Sequence, residues 1–77
     1  MSEYAQPLGN AVKRARGKLN LTQGEVAAQA NMDSRTILNI ENYKGNPKLE
    51  ILYPLIRTLH LDPQEIFIRS LLIPLRR

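Results

Sequence analysis

A short segment near the middle of the chain carries side chains that can make directional contacts with nucleic-acid bases. Arg35 and Asn39 are four residues apart with Leu38 beside them, so on a helix they would share one face with Ser34. Arginine can donate two hydrogen bonds to guanine, asparagine can pair with adenine, and leucine can contact a thymine methyl. A solvated helix face is the ordinary alternative. The outward leucine counts mildly against it, although single exposed leucines are common.

The rest of the chain offers little for catalysis. There is no cysteine and His60 is the single histidine, so the sequence lacks a thiol nucleophile and the ligand cluster of a zinc site. A helix cap or an ion pair is a sufficient explanation for the candidate carboxylates, which are Glu25, Glu41, Asp62 and Glu65. We therefore predict that the protein is not an enzyme and has no metal site and no cofactor.

Size and charge narrow the class of protein further. The chain has 77 residues, enough for one compact domain, and its net charge of +4 favours polyanionic partners without proving one. No stretch reaches the roughly 20 apolar residues of a membrane span. The first seven residues are polar and lack the apolar run of a secretory signal. We expect a cytoplasmic protein without a membrane partner.

Apolar residues at helical spacing predict a first helix over residues 7–19, with Leu8, Val12, Ala15 and Leu19 on its buried face. Pro7 suits the first helical position, where its missing N–H is not needed. Asn20 can adopt the left-handed conformation that ends a helix. The predicted helix therefore has both a start and a stop signal.

Two short helices follow in close succession. Thr22 and Glu25 form a capping box, which predicts a second helix from Gln23 to about residue 31, with small inward residues. Asp33 is an N-cap for a third helix over residues 34–42, whose inward positions are Ile37, Ile40 and Glu41. Such a pair, joined by only a few residues, predicts a helix-turn-helix.

The second half of the chain predicts a loop and two more helices. Residues 42–48 contain a glycine and an Asn-Pro step and should form the loop. Helix 4 is predicted by the spacing of Leu49, Leu52, Leu55, Ile56 and Leu59. Pro54 lies inside it and should kink it. Asp62-Pro63-Gln64-Glu65 is a start signal for helix 5. The apolar residues of this helix surround its axis instead of forming one stripe: Ile66, Phe67, Ile68, Leu71, Leu72, Ile73 and Leu75.

A longer pattern runs in order through residues 8–67. The residues that carry it are Arg16, Leu21-Thr22-Gln23, Val26-Ala27, Ile37, Ile40-Glu41, Asn46-Pro47, Leu52, Leu59 and the segment 62–67. In these residues and spacings the chain resembles the Xre/Cro family of phage-repressor-like helix-turn-helix proteins. The resemblance implies an all-α, compact five-helix, lambda-repressor-like DNA-binding domain with its helix-turn-helix at helices 2 and 3. It also implies a partly buried ion pair between Arg16 and Glu41.

The chain departs from the family pattern at four places. Asn31 stands where glycine is usual between helices 2 and 3, and Gly24 stands where a polar helix former is usual. Pro54 and the apolar tail after Phe67 are also unusual. Asparagine tolerates the left-handed region, so the first departure should not disturb the turn.

The expected DNA interface has two kinds of contact. Ser34, Arg35, Leu38 and Asn39 would read base edges in the major groove. The candidates for contact with the phosphate backbone lie at the start of helix 2 and in the loop after helix 3: Thr22, Gln23, Asn42, Lys44 and Asn46. Ordinary capping and surface roles remain the alternatives for the threonine and the lysine.

We expect a sequence-specific transcriptional regulator that binds an operator as a homodimer, with repression favoured over activation. The chain would divide into a flexible N-terminal arm (1–6), a DNA-binding domain (7–70) and an apolar and basic tail (71–77). Candidate dimer contacts are Phe67, Ile68, Leu71 and Leu72. The alternative is an antitoxin or another protein-interaction module that binds a protein partner through the apolar C-terminal segment.

Overall fold

The computed structural model, which describes residues 4–68, contains five helices and no strand within that range. They are α1 (Ala5–Leu19), α2 (Gln23–Gln29), α3 (Ser34–Glu41), α4 (Leu49–Leu59) and α5, a single π-helical turn (Gln64–Ile68). α3 packs against both α1 and α2, while α4 and α5 pack against α1. The predicted all-α class is confirmed.

One apolar core joins all five helices. Its fully buried members are Leu8 and Val12 of α1, Val26 of α2, Ile37 of α3, Leu55 of α4 and Ile66 of α5. Each of the helices α1 to α4 therefore buries one stripe and leaves the opposite face to solvent.

The N-terminal end of α1 differs from the sequence prediction. The helix begins at Ala5, two residues before the expected start at Pro7, so Ala5 and Gln6 are helical and do not belong to an arm. Ala5 is buried, and the hydroxyl of Tyr4 donates a hydrogen bond to the carbonyl oxygen of Pro47 at 2.8 Å. These contacts attach the segment to the loop before α4. Residues 1–3 lie outside the described range.

The buried face of α1 also differs from the prediction at the C-terminal end of the helix. Leu19, predicted to be inside, is 45% exposed, whereas Ala11 is buried. Leu19 lies in a shallow cleft between α1 and the turn after α4, which Leu59 and Leu61 also line. The last turn of α1 thus extends past the core.

The predicted starts of α2, α3 and α5 are confirmed by their hydrogen bonds. Thr22 Oγ1 accepts from the backbone N–H of Glu25 at 3.1 Å, and the Glu25 carboxylate accepts from the N–H of Thr22 at 2.8 Å. Asp33 accepts from the N–H of Arg35 at 3.1 Å, and Asp62 from that of Gln64 at 3.0 Å. Each side-chain oxygen satisfies a donor that has no partner inside the helix.

The first four helices end in the same way, with one residue in the left-handed conformation. These residues are Asn20, Asn31, Tyr43 and His60, with φ of 60°, 59°, 61° and 55°. In each case the following residue donates its N–H to a carbonyl oxygen one turn back, the pattern of a Schellman motif. The predicted role of Asn20 is confirmed. α2 ends at Gln29, two residues earlier than expected, so that Asn31 makes the turn.

α4 contains Pro54, as predicted, so one backbone hydrogen bond to the carbonyl of Glu50 is missing. The apolar stripe faces the core from Leu52 onward, but Leu49 at the first position is 73% exposed. α5 is described only as far as Ile68, so the predicted continuation of this helix and the tail 71–77 lie outside the described residues. Glu65 forms an ion pair with Arg14 at 3.3 Å.

Candidate nucleic-acid interface

α3 divides into a buried face and a free face. Ile37, Ile40 and Glu41 are at most 4% exposed, as predicted. The predicted base-reading residues, Ser34, Arg35, Leu38 and Asn39, are all exposed on the other side. Within the described part of the chain, the side chains of Ser34, Arg35 and Asn39 make no hydrogen bond or ion pair. Leu38 is 43% exposed between them, so a row of polar donors flanks one apolar side chain.

Small residues on α2 allow α3 to approach closely. Ala27 and the residue after α2, Ala30, are both buried, and α2 packs against α3. The turn between the helices is closed by the N–H of Met32, which donates to the carbonyl of Ala27 at 2.8 Å. Asn31 adopts the left-handed conformation in this turn. The tight connection fixes the angle at which α3 leaves the domain surface.

Arg16 of α1 and Glu41 of α3 form the ion pair that the resemblance implied. Arg16 Nε donates to Glu41 Oε2 at 2.6 Å and Nη2 donates to Oε1 at 3.0 Å, a bidentate arrangement. The remaining guanidinium nitrogen donates to the carbonyl of Leu21 at 3.0 Å. Glu41 is 4% exposed, whereas the Arg16 side chain is 25% exposed. The pair joins α1 directly to the C-terminal end of α3.

The environment of Glu41 keeps its carboxyl group ionised. Burial alone would raise the pKa of this group. Hydrogen bonds from Arg16 and Gln23, together with the positive charges of Arg16 and Lys13, outweigh burial and lower the pKa of Glu41 below its usual value. The hydrogen bond with Glu41 correspondingly raises the pKa of Arg16, against the effect of burial. Both partners are therefore charged at neutral pH.

The two candidate phosphate contacts at the start of α2 already have partners. The hydroxyl oxygen of Thr22 accepts from Glu25 N–H, as a capping residue does. Gln23 Nε2 donates to Glu41 Oε1 at 3.1 Å, so one amide proton is used inside the domain and the other has no partner among residues 4–68. The structure thus gives Gln23 a structural contact that the sequence did not predict.

The other three phosphate candidates lie where α3 ends. Asn42, Lys44 and Asn46 are exposed. The backbone N–H of Lys44 donates to the carbonyl of Asn39 at 2.8 Å, which fixes the lysine backbone beside the last turn of α3. The free face of α3 and these loop residues are therefore neighbours.

Tyr43 and Gly9, to which the sequence analysis assigned no role, meet where α1 crosses the end of α3. The Tyr43 hydroxyl donates to Asn10 Oδ1 at 2.5 Å, and Lys13 Nζ lies 4.9 Å from the centre of the tyrosine ring. A methyl group on Gly9 would lie 2.6 Å from the carbonyl oxygen of Ile40. An isolated glycine inside an amphipathic helix was the available signal, since such a glycine often marks a close approach.

Other kinds of site find no support in residues 4–68. This range contains no group of three His, Cys, Asp or Glu side chains placed to hold a metal ion. None of the described helices has the length and the apolar character needed to cross a bilayer.

Comparison with known proteins shows the family to which the chain belongs. A sequence profile of the helix-turn-helix family matches residues 12–66. An uncharacterized HTH-type transcriptional regulator of Archaeoglobus fulgidus is 35% identical over 57 residues, which cover 74% of this chain and 80% of that protein. The wild-type restriction-modification controller protein C.Esp1396I has the same fold, with a TM-score of 0.74 and 21% identity over 100% of both chains. The resemblance inferred from the sequence is confirmed, and the chain belongs to the helix-turn-helix family, with α2 and α3 as its helix-turn-helix.

Proposed function

We propose that the chain is a sequence-specific, double-stranded DNA-binding transcriptional regulator that reads the major groove with α3. The observation that carries this proposal is the free face of α3, where Arg35, Leu38 and Asn39 are exposed on a helix whose other face is buried. Arginine and asparagine on such a face have the geometry for guanine and adenine, and leucine for the thymine methyl. Membership of the helix-turn-helix family supports the same assignment.

Contacts with the DNA backbone would set the register of α3 on the duplex. The candidate donors that have no partner within the described residues 4–68 are the hydroxyl of Thr22, the second amide proton of Gln23 and the exposed loop side chains of Asn42, Lys44 and Asn46. The net charge of +4 is of the sign that such contacts need. A DNA target also accords with a cytoplasmic location and with a role that involves no catalysis.

The regulator would act as a homodimer and as a repressor. Two reading helices spaced about 34 Å apart would match one turn of a two-fold symmetric operator. The dimer residues predicted from the sequence, Phe67, Ile68, Leu71 and Leu72, lie outside the described side chains. Repression requires only that the operator be occupied.

The free face of α4 provides a second argument for self-association. Leu49 and Tyr53 are four residues apart and are 73% and 60% exposed, with Glu50 and Arg57 beside them. In an antiparallel, two-fold pairing of α4 centred between Tyr53 and Pro54, Glu50 of one copy would face Arg57 of the other. This face is therefore self-complementary in charge as well as apolar.

Selection from a random duplex library at fixed salt tests the proposal. Wild type should enrich a two-fold symmetric site, and an Arg35→Ala, Asn39→Ala double variant should lose it, since each contact provides about 1 to 3 kcal/mol of discrimination. Lys18→Ala is the control because it removes a charge from the cleft between α1 and the turn after α4. Failure of the wild type to enrich any sequence would refute the proposal.

The oligomeric state is tested separately by analytical ultracentrifugation. Wild type should sediment as a dimer, and a Leu49→Ser, Tyr53→Ser variant should shift towards the monomer if α4 forms the interface. Retention of the dimer in this variant would direct attention to the residues near the C-terminus. Copurification with an unrelated small protein would instead favour the antitoxin alternative, whose apolar segment lies mostly beyond the described residues.

A further inference from the structure

Tyr43 ends α3 in a backbone conformation that its side chain disfavours. It occupies the left-handed position of a Schellman motif, in which its N–H donates to Ile40 and the N–H of Lys44 donates to Asn39. The equivalent residues of α1, α2 and α4 are Asn20, Asn31 and His60. Asparagine and histidine are enriched in the left-handed region, whereas a bulky aromatic residue there is an outlier. Such an outlier indicates that the side chain contributes something at this place.

The contribution of Tyr43 is a set of contacts with α1. Its hydroxyl donates to Asn10 Oδ1 at 2.5 Å and accepts from Lys13 Nζ at 3.3 Å, and Lys13 Nζ also lies 4.9 Å from the ring centre. The ring lies so close to Gly9 that a methyl group there would be 2.7 Å from two ring carbons. We call these four residues, Gly9, Asn10, Lys13 and Tyr43, the tyrosine clamp.

The clamp closes on the short segment that carries proposed phosphate contacts. Asn42 and Lys44 flank Tyr43 in the chain, and the Lys44 backbone is bonded to the last turn of α3. A tyrosine fixed to α1 therefore restricts the direction in which the Lys44 side chain leaves the domain. Asn39 lies on the free face of α3, and its carbonyl oxygen accepts the Lys44 N–H. The clamp therefore also fixes the position of Lys44 relative to the residues proposed to contact bases.

We propose that Tyr43 is a positioning residue of the DNA interface, which through the tyrosine clamp holds Lys44 in place to contact a phosphate. This inference rests on the proposed DNA-binding function. It assigns to Tyr43 no contact with DNA, since the hydroxyl is already engaged with α1. It also explains why a strained tyrosine stands where an asparagine or a glycine would end the helix more easily.

Tyr43→Gly tests the proposal without unfolding the protein, because glycine relieves the left-handed strain while it removes the clamp. Affinity for the selected duplex is measured over a salt series, with folding checked by circular dichroism. Loss of one phosphate contact per protomer, two in the homodimer, should reduce the magnitude of the slope of log K against log salt by about 1.8, which at about 0.1 M salt is a loss of about sixtyfold in affinity. The selected sequence should not change, since phosphate contacts carry no base information.

Three further variants separate positioning from general stability. His60→Gly introduces glycine at the equivalent left-handed position after α4 and should bind DNA like wild type. Tyr43→Phe keeps the ring against Gly9 and Lys13 and should recover most of the affinity. Lys44→Ala should reproduce the loss seen in Tyr43→Gly, and the double variant should lose nothing more. Wild-type affinity and slope in Tyr43→Gly, or full additivity with Lys44→Ala, would overturn the proposal.

Amide hydrogen exchange provides a readout that does not depend on DNA. In Tyr43→Ala, which removes the clamp but keeps the left-handed strain, the N–H of Lys44 should lose the protection that its bond to Asn39 provides, whereas His60→Gly should leave it unchanged. Unchanged protection in Tyr43→Ala overturns the clamp. If wild type enriches no duplex, the proposed function fails, and this measurement still decides whether the clamp fixes the loop.

Discussion

Removal of Arg16 should destabilise the fold far more than removal of an ordinary surface arginine. In Arg16→Ala the buried carboxylate of Glu41 loses two hydrogen bonds and its nearest positive charge, and among residues 4–68 it keeps only the bond from Gln23 at 3.1 Å. Breaking a buried ion pair in this way costs about 3 to 5 kcal/mol. The Arg16 side chain is 25% exposed, so water reaches part of the pair and the lower end, about 3 kcal/mol, is expected.

That cost is large for a chain of this size. A domain of 77 residues has a free energy of unfolding of about 4 to 12 kcal/mol. A loss of about 3 kcal/mol corresponds to a fall in Tm of about 12 to 24 °C. Urea unfolding at pH 7, followed by circular dichroism, measures the difference. A free energy of unfolding equal to that of wild type in Arg16→Ala would refute the reasoning.

Two comparisons identify the buried charge as the cause. Replacing both partners by apolar residues, Arg16→Met with Glu41→Leu, should restore most of the stability, because no uncompensated charge remains. Glu41→Gln should cost less than Arg16→Ala, since the arginine it leaves behind is partly exposed and still bonded to the carbonyl of Leu21. If the apolar pair were as unstable as Arg16→Ala, lost packing and not charge would be responsible.

The pH dependence follows from the lowered pKa of Glu41. A carboxyl group whose pKa is lower in the folded state than in the unfolded state stabilises the fold above its unfolded value, about 4.3. This contribution is lost as pH falls through the folded value. In Arg16→Ala burial is no longer outweighed by the arginine, so the difference from wild type should shrink between pH 7 and pH 4. A constant difference over that range would contradict the assignment.

Three smaller effects can be measured by the same unfolding assay. Thr22→Ala removes the cap of α2 and should cost about 1 kcal/mol, and no loss would mean that Glu25 does not need the hydroxyl. Gly9→Ala should destabilise by about 1 to 3 kcal/mol because its methyl group would lie 2.6 Å from the Ile40 carbonyl oxygen; an unchanged midpoint would show that the two helices move apart freely. Asn20→Gly should raise the free energy of unfolding by roughly a few tenths of a kcal/mol, since φ is 60° there, and a clear loss of stability would reveal a contact of the asparagine side chain.

The features predicted well from the sequence are local ones. The starts of α2 and α3 could be predicted from Thr22 with Glu25 and from Asp33, because a capping side chain bonds to a backbone N–H no more than three residues away. The ends of α1 and α2 could be predicted from Asn20 and Asn31 for a similar reason, since tolerance of positive φ is a property of asparagine itself. Ile37, Ile40 and Glu41 follow from helical periodicity, and with them the direction of the free face.

The features that were missed depend on contacts between distant segments. From the sequence alone Tyr43 is an ordinary loop residue and Gly9 is a residue that lowers helix propensity. Their roles become visible only when α1 is packed against the end of α3. The early start of α1 depends on the contact between Tyr4 and Pro47, which are 43 residues apart. Leu19 fits the periodicity of α1 but extends past the core. No pattern within one helix contains this information, so it had to come from the tertiary structure.

The structure also separates two consequences of mutation in this interface. α3 has only eight residues, and a helix this short is not stable alone, so its orientation must come from its neighbours. α1 holds the C-terminal half of α3 at two points, Glu41 through Arg16 and the following Tyr43 through the clamp. Neither point uses the free face. Changes at Arg35 or Asn39 should therefore alter the preferred operator at nearly constant stability, whereas changes at Arg16 or Glu41 should alter stability and leave the preferred operator the same.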